Sequence, residues 1–332
     1  MVLTKTMKTY YRKQITPMMI NSLYYWGKNV YKENMISQST FLREELSIRM
    51  AHRVFDLLQL PFGLPIVPEV KGVIDLYCKS FDRIQSFGNI NKEHDVNLFT
   101  NLLEDIKENH KDLENTISLG LKKIHEPLID YSILNPALDR FFLSRISIRT
   151  LIAHQISTCK NAQPIIKTCN LKEIIGDAKE ILDINTNRVH DTEIPVEVEG
   201  QNVEFLYIPG HLHYILLEIL KNSSVAHIKN GVKEPVKITI GDGSSDVILR
   251  ISDKGGGFSL KNIPNVLTYS YTTTETIDPY NSLSGFGFGL PLSRAYTQYF
   301  GGRLQINPIE GIGTDIFVYL NKLGDENERM EF

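Results

Sequence analysis

The chain has 332 residues, enough for two ordinary domains, and its 42% hydrophobic and 23% charged residues are the balance of a globular protein. A net charge of −3 lacks the basic footprint of a nucleic-acid binder, and no apolar run is long enough to span a bilayer. Three cysteines, Cys78, Cys159 and Cys169, are an odd number without C-x-x-C spacing, which points to reduced thiols and against a disulfide framework or zinc site.

At the N-terminus Lys5, Lys8, Arg12, Lys13, Lys28 and Lys32 all precede the first acid, Glu33. Such a basic, acid-poor start resembles a mitochondrial transit peptide, with a basic mature arm as the other reading. Next, Phe41, Leu42, Leu46, Met50, Val54, Leu57 and Leu58 recur at helical spacing and predict a helix over 41–60, with Thr40 as its cap. Leu60-Pro61-Phe62-Gly63-Leu64-Pro65 is a breaker loop carrying apolar residues. Further helices are predicted over 70–87, over 95–121 as one uninterrupted element, and from Asn135-Pro136 to about residue 161. Four amphipathic helices with short connections predict a bundle. His154, inside the fourth, invites comparison with a phosphoacceptor, but Gln155 and not an acid follows it, and a polar residue at a domain boundary is the preferred reading.

Pro164 and Cys169-Asn170 mark a boundary, after which strands and helices interleave. Helices are predicted over 171–184 and 211–229, and strands over 203–208, 236–240, 247–252, 303–306 and 315–320. The pattern is an α/β sandwich, one sheet covered by helices. The expected fold is therefore α+β, with a helical bundle over 10–165 followed by a sandwich over 170–322.

The residues that carry chemistry lie in the second half. Glu218 and Asn222 are four apart and share a helical face, with Lys221 beside them and Leu216, Ile219 and Leu220 on the opposite, apolar face. An amide oxygen suits Mg²⁺, and a nearby carboxylate can accept a proton from an attacking hydroxyl. Asp253 ends a strand and Gly255, Gly256 and Gly257 follow, placing an acceptor beside a backbone that a ring can approach. Thr272 and Thr273 stand in a long polar connection of the kind that forms lids, and their hydroxyls can donate to phosphate. Gly285-Phe286-Gly287-Phe288-Gly289-Leu290-Pro291 opens a helix, so that alternating glycines and the helix N-terminus can cradle an anion. Thr314, before the last strand, can support Asp253.

In this order the parts resemble the nucleotide boxes of the GHKL ATPase superfamily, which holds histidine kinases, gyrase, mismatch-repair ATPases and a chaperone family. The runs Phe142-Leu143-Ser144-Arg145-Ile146-Ser147-Ile148-Arg149, 217–222, 252–257 and 285–299 are similar to the mitochondrial kinases of the 2-oxoacid dehydrogenase complexes, the pyruvate dehydrogenase kinases and the branched-chain kinase. Residues 17–27 and 41–46 resemble the same family's N-terminal helices, so the likeness covers about residues 10–320.

The resemblance implies a four-helix regulatory bundle joined to a GHKL ATP-binding domain. It implies a serine kinase using ATP and Mg²⁺, acting in the mitochondrial matrix on the E1 subunit of a 2-oxoacid dehydrogenase and inactivating it. It further implies recruitment by the E2 lipoyl domain, with Leu60–Pro65 as a candidate contact, and a homodimer. By the same resemblance Glu218 is the general base, Asn222 the Mg²⁺ ligand and Asp253 the adenine-reading acid. Nucleotide contacts are expected from Lys221, Val225, Gly255, Gly257, Thr272, Thr273, Gly285, Phe286, Gly287, Phe288, Gly289, Leu290 and Thr314. Val225 stands where the family commonly has Arg, Gln155 where it often has His, and the stretch after Leu320 is shorter than a pyruvate-branch tail. The motifs lean both ways between the pyruvate and branched-chain branches. Two alternatives stand beside this reading: a two-component histidine kinase, and a catalytically weak module that binds nucleotide and E2.

Overall fold

A computed structural model describes residues 3–28, 31–124, 129–269, 271 and 287–329. They form two compact units, divided between Ile165 and Ile166.

The first unit is helical. It runs through α1 (Lys5–Tyr11), α2 (Ile20–Lys28), α3 (Lys32–Leu58), α4 (Pro68–Ser86), α5 (Glu93–Asn109), α6 (Leu113–Leu121) and α7 (Tyr131–Asn161). The four long helices, α3, α4, α5 and α7, make the bundle: α3 packs on α4, α5 and α7, and α5 also packs on α7. Its core comes from residues at helical spacing, including Leu46, Met50 and Val54 of α3, Phe99 and Leu103 of α5, and Phe141, Phe142 and Leu151 of α7, all at most 1% exposed. Burying each such side chain contributes about 1.5–3 kcal/mol.

Three boundaries differ from the sequence expectation. The helix expected from residue 41 begins at Lys32, so Thr40 caps nothing; its hydroxyl donates to the Ile36 carbonyl at 2.8 Å inside α3. The helix expected unbroken over 95–121 divides into α5 and α6, and tertiary contacts account for the break. The His110 ring meets the Ser80 hydroxyl at 2.9 Å, and the His110 carbonyl accepts from Arg145 at 2.9 Å. Arg145 also forks onto both Glu114 oxygens, at 3.0 and 2.6 Å, so one guanidinium braces both sides of the turn. Helix α7 starts at Tyr131, where Asp130 accepts from the Ser132 N–H at 2.9 Å, leaving Pro136 inside the helix.

The second unit opens with β1 (Lys167–Asn170) and α8 (Leu171–His190), followed by β2 (Val196–Glu199), β3 (Glu204–Tyr207) and α9 (Pro209–Asn230). It continues through β4 (Val236–Asp242), β5 (Asp246–Ser252), the short α10 (Ile263–Val266), α11 (Gly289–Gln298), β6 (Arg303–Ile309) and β7 (Gly313–Asn321). A five-stranded sheet in the order β2-β4-β5-β7-β6 is antiparallel except for the parallel pair β2 and β4. β1 and β3 form a separate antiparallel pair. Burial alternates along β5, β6 and β7, so one face of the sheet is covered. Helix α9 packs against α8 and α11, and α11 against β6 and β7. This is the mixed architecture expected, with β1, β2 and α10 added. The two extra strands have four residues each, too few to give a periodic signal.

Candidate active site

Helix α9 supplies one wall of a cavity of about 520 Å³ in the second unit, a size suited to a cofactor-sized ligand. Its apolar face, with Leu212, Ile215, Leu216, Ile219 and Leu220, is buried, so the helix is held by packing and presents its polar side to the cavity. Glu218, Lys221, Asn222 and Val225 all line that space. The Lys221 ammonium lies 2.5 Å from Glu218 Oε1, and both side chains are mostly buried.

The floor is the turn after β5. Asp253 is 9% exposed and its carboxylate meets neutral donors. Oδ1 accepts from the Gly255 N–H at 2.8 Å and the Thr314 N–H at 3.2 Å, and Oδ2 from the Ser223 hydroxyl at 3.3 Å. Burial holds its carboxyl above the usual carboxylate range, and these donors offset only part of that. The Asp253 N–H in turn donates to the Thr314 carbonyl at 3.0 Å, tying the turn to the start of β7. Gly257 has φ +57°, and a Cβ there would collide with the Ile309 and Gly313 carbonyls.

The opposite wall is the start of α11. Gly287, Gly289, Leu290 and Pro291 line the cavity, so the N-terminal end of this helix, with its partial positive charge, borders it. A Cβ on Gly289 would lie 2.5 Å from Glu218 Oε2, so only glycine lets this helix end approach the carboxylate so closely.

Of the residues singled out in the sequence, Glu218, Lys221, Asn222, Val225, Asp253, Gly255, Gly257, Gly287, Gly289, Leu290 and Thr314 converge on this space. Phe288 does not line it; its buried ring packs on Tyr269 at 5.4 Å between centroids. Thr272, Thr273, Gly285 and Phe286 lie outside the described residues. Sequence reasoning missed Ser223, His227 and Asn230, which hold the Asp253 turn from α9. Their spacing along the helix was a visible signal, but nothing in the sequence says that the turn lies across it.

The donor set suits one kind of metal. Among the described residues no three His, Cys, Asp or Glu side chains gather into a cage. A single amide oxygen, Asn222, in a cavity bordered by a helix N-terminus fits Mg²⁺, which keeps several waters and takes its remaining ligands from bound phosphates. The cavity fits a nucleoside triphosphate for the same reasons: a buried acceptor at one wall, N–H donors at another, and apolar Val225, Ile306 and Ile316 between.

In the helical unit His154 is 5% exposed, and neither ring nitrogen has a hydrogen-bond partner among the described residues. Burial pulls its pKa down to about 4. Gln155 donates to the Ser39 hydroxyl at 2.7 Å. In the 60–66 loop Leu60 and Leu64 are buried, whereas Ile66 is 83% exposed. None of the described helices is long and apolar enough to cross a membrane.

Comparison with known proteins bears on the same segments. Residues 17–179 match the sequence family described as mitochondrial branched-chain alpha-ketoacid dehydrogenase kinase. Residues 208–323 match the histidine kinase-, DNA gyrase B- and HSP90-like ATPases. A mitochondrial [pyruvate dehydrogenase (acetyl-transferring)] kinase of Arabidopsis thaliana is 32% identical over 328 residues, covering 91% of this chain and 89% of that protein. The Homo sapiens isozyme 1 is 32% identical over 324 residues, 87% of this chain and 74% of its own length. The Mus musculus isozyme 3 is 31% identical over 355 residues, 97% of this chain and 85% of its own length.

Proposed function

The chain belongs to the family of the mitochondrial 2-oxoacid dehydrogenase kinases, within the GHKL ATPases, and on that premise we propose that it phosphorylates a serine of a 2-oxoacid dehydrogenase E1 subunit in the mitochondrial matrix. The observation that carries this reading is the meeting of Glu218, Asn222, Asp253, Thr314 and the first turn of α11 around one cavity. The names of the relatives make pyruvate dehydrogenase the first substrate to test, and the family matched by the helical unit makes the branched-chain enzyme the second.

In this reading Asp253 accepts a hydrogen bond from the adenine amino group, held in place by the Thr314 and Gly255 N–H groups. The N–H groups at the start of α11 bind phosphate oxygens, and Asn222 would hold Mg²⁺ against them. Thr272, Thr273, Gly285 and Phe286 complete the lid and clamp, as the resemblance implies. Glu218, fixed by Lys221, takes the proton of the serine hydroxyl as it attacks. MgATP supplies the phosphoryl group, and the protein's share is orientation and electrostatic stabilisation. A phosphate on E1 adds about −2 charge at its active-site loop, which switches that enzyme off. The exposed Ile66 offers an apolar contact for the E2 lipoyl domain, and the family likeness supports a homodimer.

One observation favours a second reading. Val225 occupies the cavity wall one turn beyond Lys221, and an aliphatic side chain there gives no charge to a triphosphate. A module that binds nucleotide and E2 without transfer would follow. The burial of His154 speaks against a histidine kinase, since a phosphoacceptor must be reachable.

The test is transfer of labelled γ-phosphate from MgATP to purified pyruvate and branched-chain E1, each with its E2, beside Glu218→Gln. Label on serine, reduced about 10²–10⁴-fold in the variant, is expected. ATP binding without label on either E1 would overturn the kinase reading in favour of the binding module.

A further inference from the structure

Three side chains on one face of α9 each grip a different residue of the Asp253 turn. Ser223, His227 and Asn230 stand at i, i+4 and i+7, the spacing that aligns side chains along a helix. The Ser223 hydroxyl donates to the Asp253 carboxylate at 3.3 Å. The Lys254 N–H donates to His227 Nε2 at 3.0 Å. The Asn230 amide donates to the Gly255 carbonyl at 2.8 Å. Three successive turns of helix therefore hold three successive residues of the loop. Its backbone bonds to other segments, Asp253 N–H to Thr314, Gly256 N–H to Ile312 and Gly311 N–H to the Gly256 carbonyl, run to the other side, towards the start of β7.

His227 is the centre of this stripe. It is fully buried, and because Nε2 accepts, the ring is neutral with its proton on Nδ1. Nδ1 has no hydrogen-bond partner among the described residues, so burying this ring carries a cost that only the bond at Nε2 offsets. Here it supplies the only side-chain acceptor that any described residue offers to the Lys254 N–H.

We propose that Ser223, His227 and Asn230 are positioning residues that set the adenine-reading geometry of Asp253, with His227 as the pH-sensitive member. The proposal rests on the adenine-nucleotide reading of the cavity. Protonation of His227 would place an N–H against the Lys254 N–H, and the turn would lose its central tie. Asp253 and Glu234 face the ring with negative charge and favour that proton, whereas burial opposes it more strongly and holds the pKa below the ordinary histidine value. Adenine affinity therefore falls on acidification through an interval below the usual histidine range.

The experiment measures ATP and GTP affinity by calorimetry on the full chain and on His227→Gln and His227→Leu, from about pH 8 to pH 5. Glutamine can place its amide oxygen where Nε2 stands, and it does not titrate. The Leu variant is expected to bind ATP about tenfold more weakly, with a smaller ATP-over-GTP preference. The Gln variant is expected to bind as the native chain does at neutral pH and to lose part of the native acid limb. Asp253 titrates in both proteins and also feels the His227 charge, so the difference between them reports the His227 proton, acting on the turn directly or through the Asp253 carboxyl. If the Leu variant fails to fold, the native and Gln profiles still decide. Identical profiles in those two, or unchanged ATP affinity and base preference in a folded Leu variant, would overturn the proposal. A native chain that binds no adenine nucleotide would instead overturn the reading of the cavity, and the proposal with it.

Discussion

Glu45 in the helical unit and Asp253 in the sheet unit are both buried carboxylates, 2% and 9% exposed, but they are satisfied in opposite ways. Glu45 Oε1 meets the fully buried Arg49 guanidinium at 2.8 Å and the Thr16 N–H at 3.0 Å. Arg49 also binds the Thr16 carbonyl, at 2.7 Å, and Ser147 on α7. Charge is cancelled there, and the network fastens the segment before α2 to α3 and α7. Asp253 meets an N–H from Gly255, another from Thr314 and a hydroxyl, none of them charged, and it sits at a cavity wall. The balanced group serves architecture. The unbalanced one keeps an acceptor ready for something that is not part of the chain.

Breaking each network should therefore damage a different property. Glu45→Ala leaves a buried guanidinium uncompensated and should cost about 3–5 kcal/mol, read as a lower midpoint in urea or thermal unfolding. Asp253→Asn should cost about 1 kcal/mol of stability, because the side-chain oxygen can still accept from one N–H. It should weaken ATP binding by about a hundredfold, seen by calorimetry, because the amide has one acceptor where the carboxylate has two. Equal losses of stability in the two variants would erase the contrast.

Acid sharpens it further. The folded Asp253 carboxyl sits above its ordinary value, so its charge costs stability at neutral pH, and that cost is relieved as pH falls through the folded pKa. ATP affinity needs the ionised acceptor and should fall over the same interval, by about tenfold per pH unit below it, in titrations down to about pH 4. Lys13→Ala, which removes an exposed partner of Glu44, should shift stability by less than about 1 kcal/mol.

Much of this was readable in the residues. The glycines at 287 and 289, the Glu218 and Asn222 pair and the acid before Gly255 marked segments that meet around the cavity. Those signals are local, fixed by spacing of three or four residues or by the backbone freedom of glycine. Long-range signals were silent. The division at His110 depends on Ser80 and Arg145, which lie 30 and 35 residues away. Ser223, His227 and Asn230 gain meaning only because the turn after β5 crosses their face of α9, a fact of sheet topology. Phe288 reads as part of the clamp because it sits inside the motif, yet the ring turns inward to Tyr269.

The close approach of Gly289 to Glu218 bears on how such a site can be silenced in evolution. A methyl group at position 289 would meet Glu218 Oε2, the far end of a flexible side chain, and not the backbone. The carboxylate can swing aside at little expense to the fold, but not without leaving its station beside Lys221. A chain carrying alanine there would keep its architecture, the acceptor at Asp253 and most of the cavity lining while Glu218, the base proposed above, was misplaced. The step from catalyst to inert scaffold is one carbon atom wide at this point.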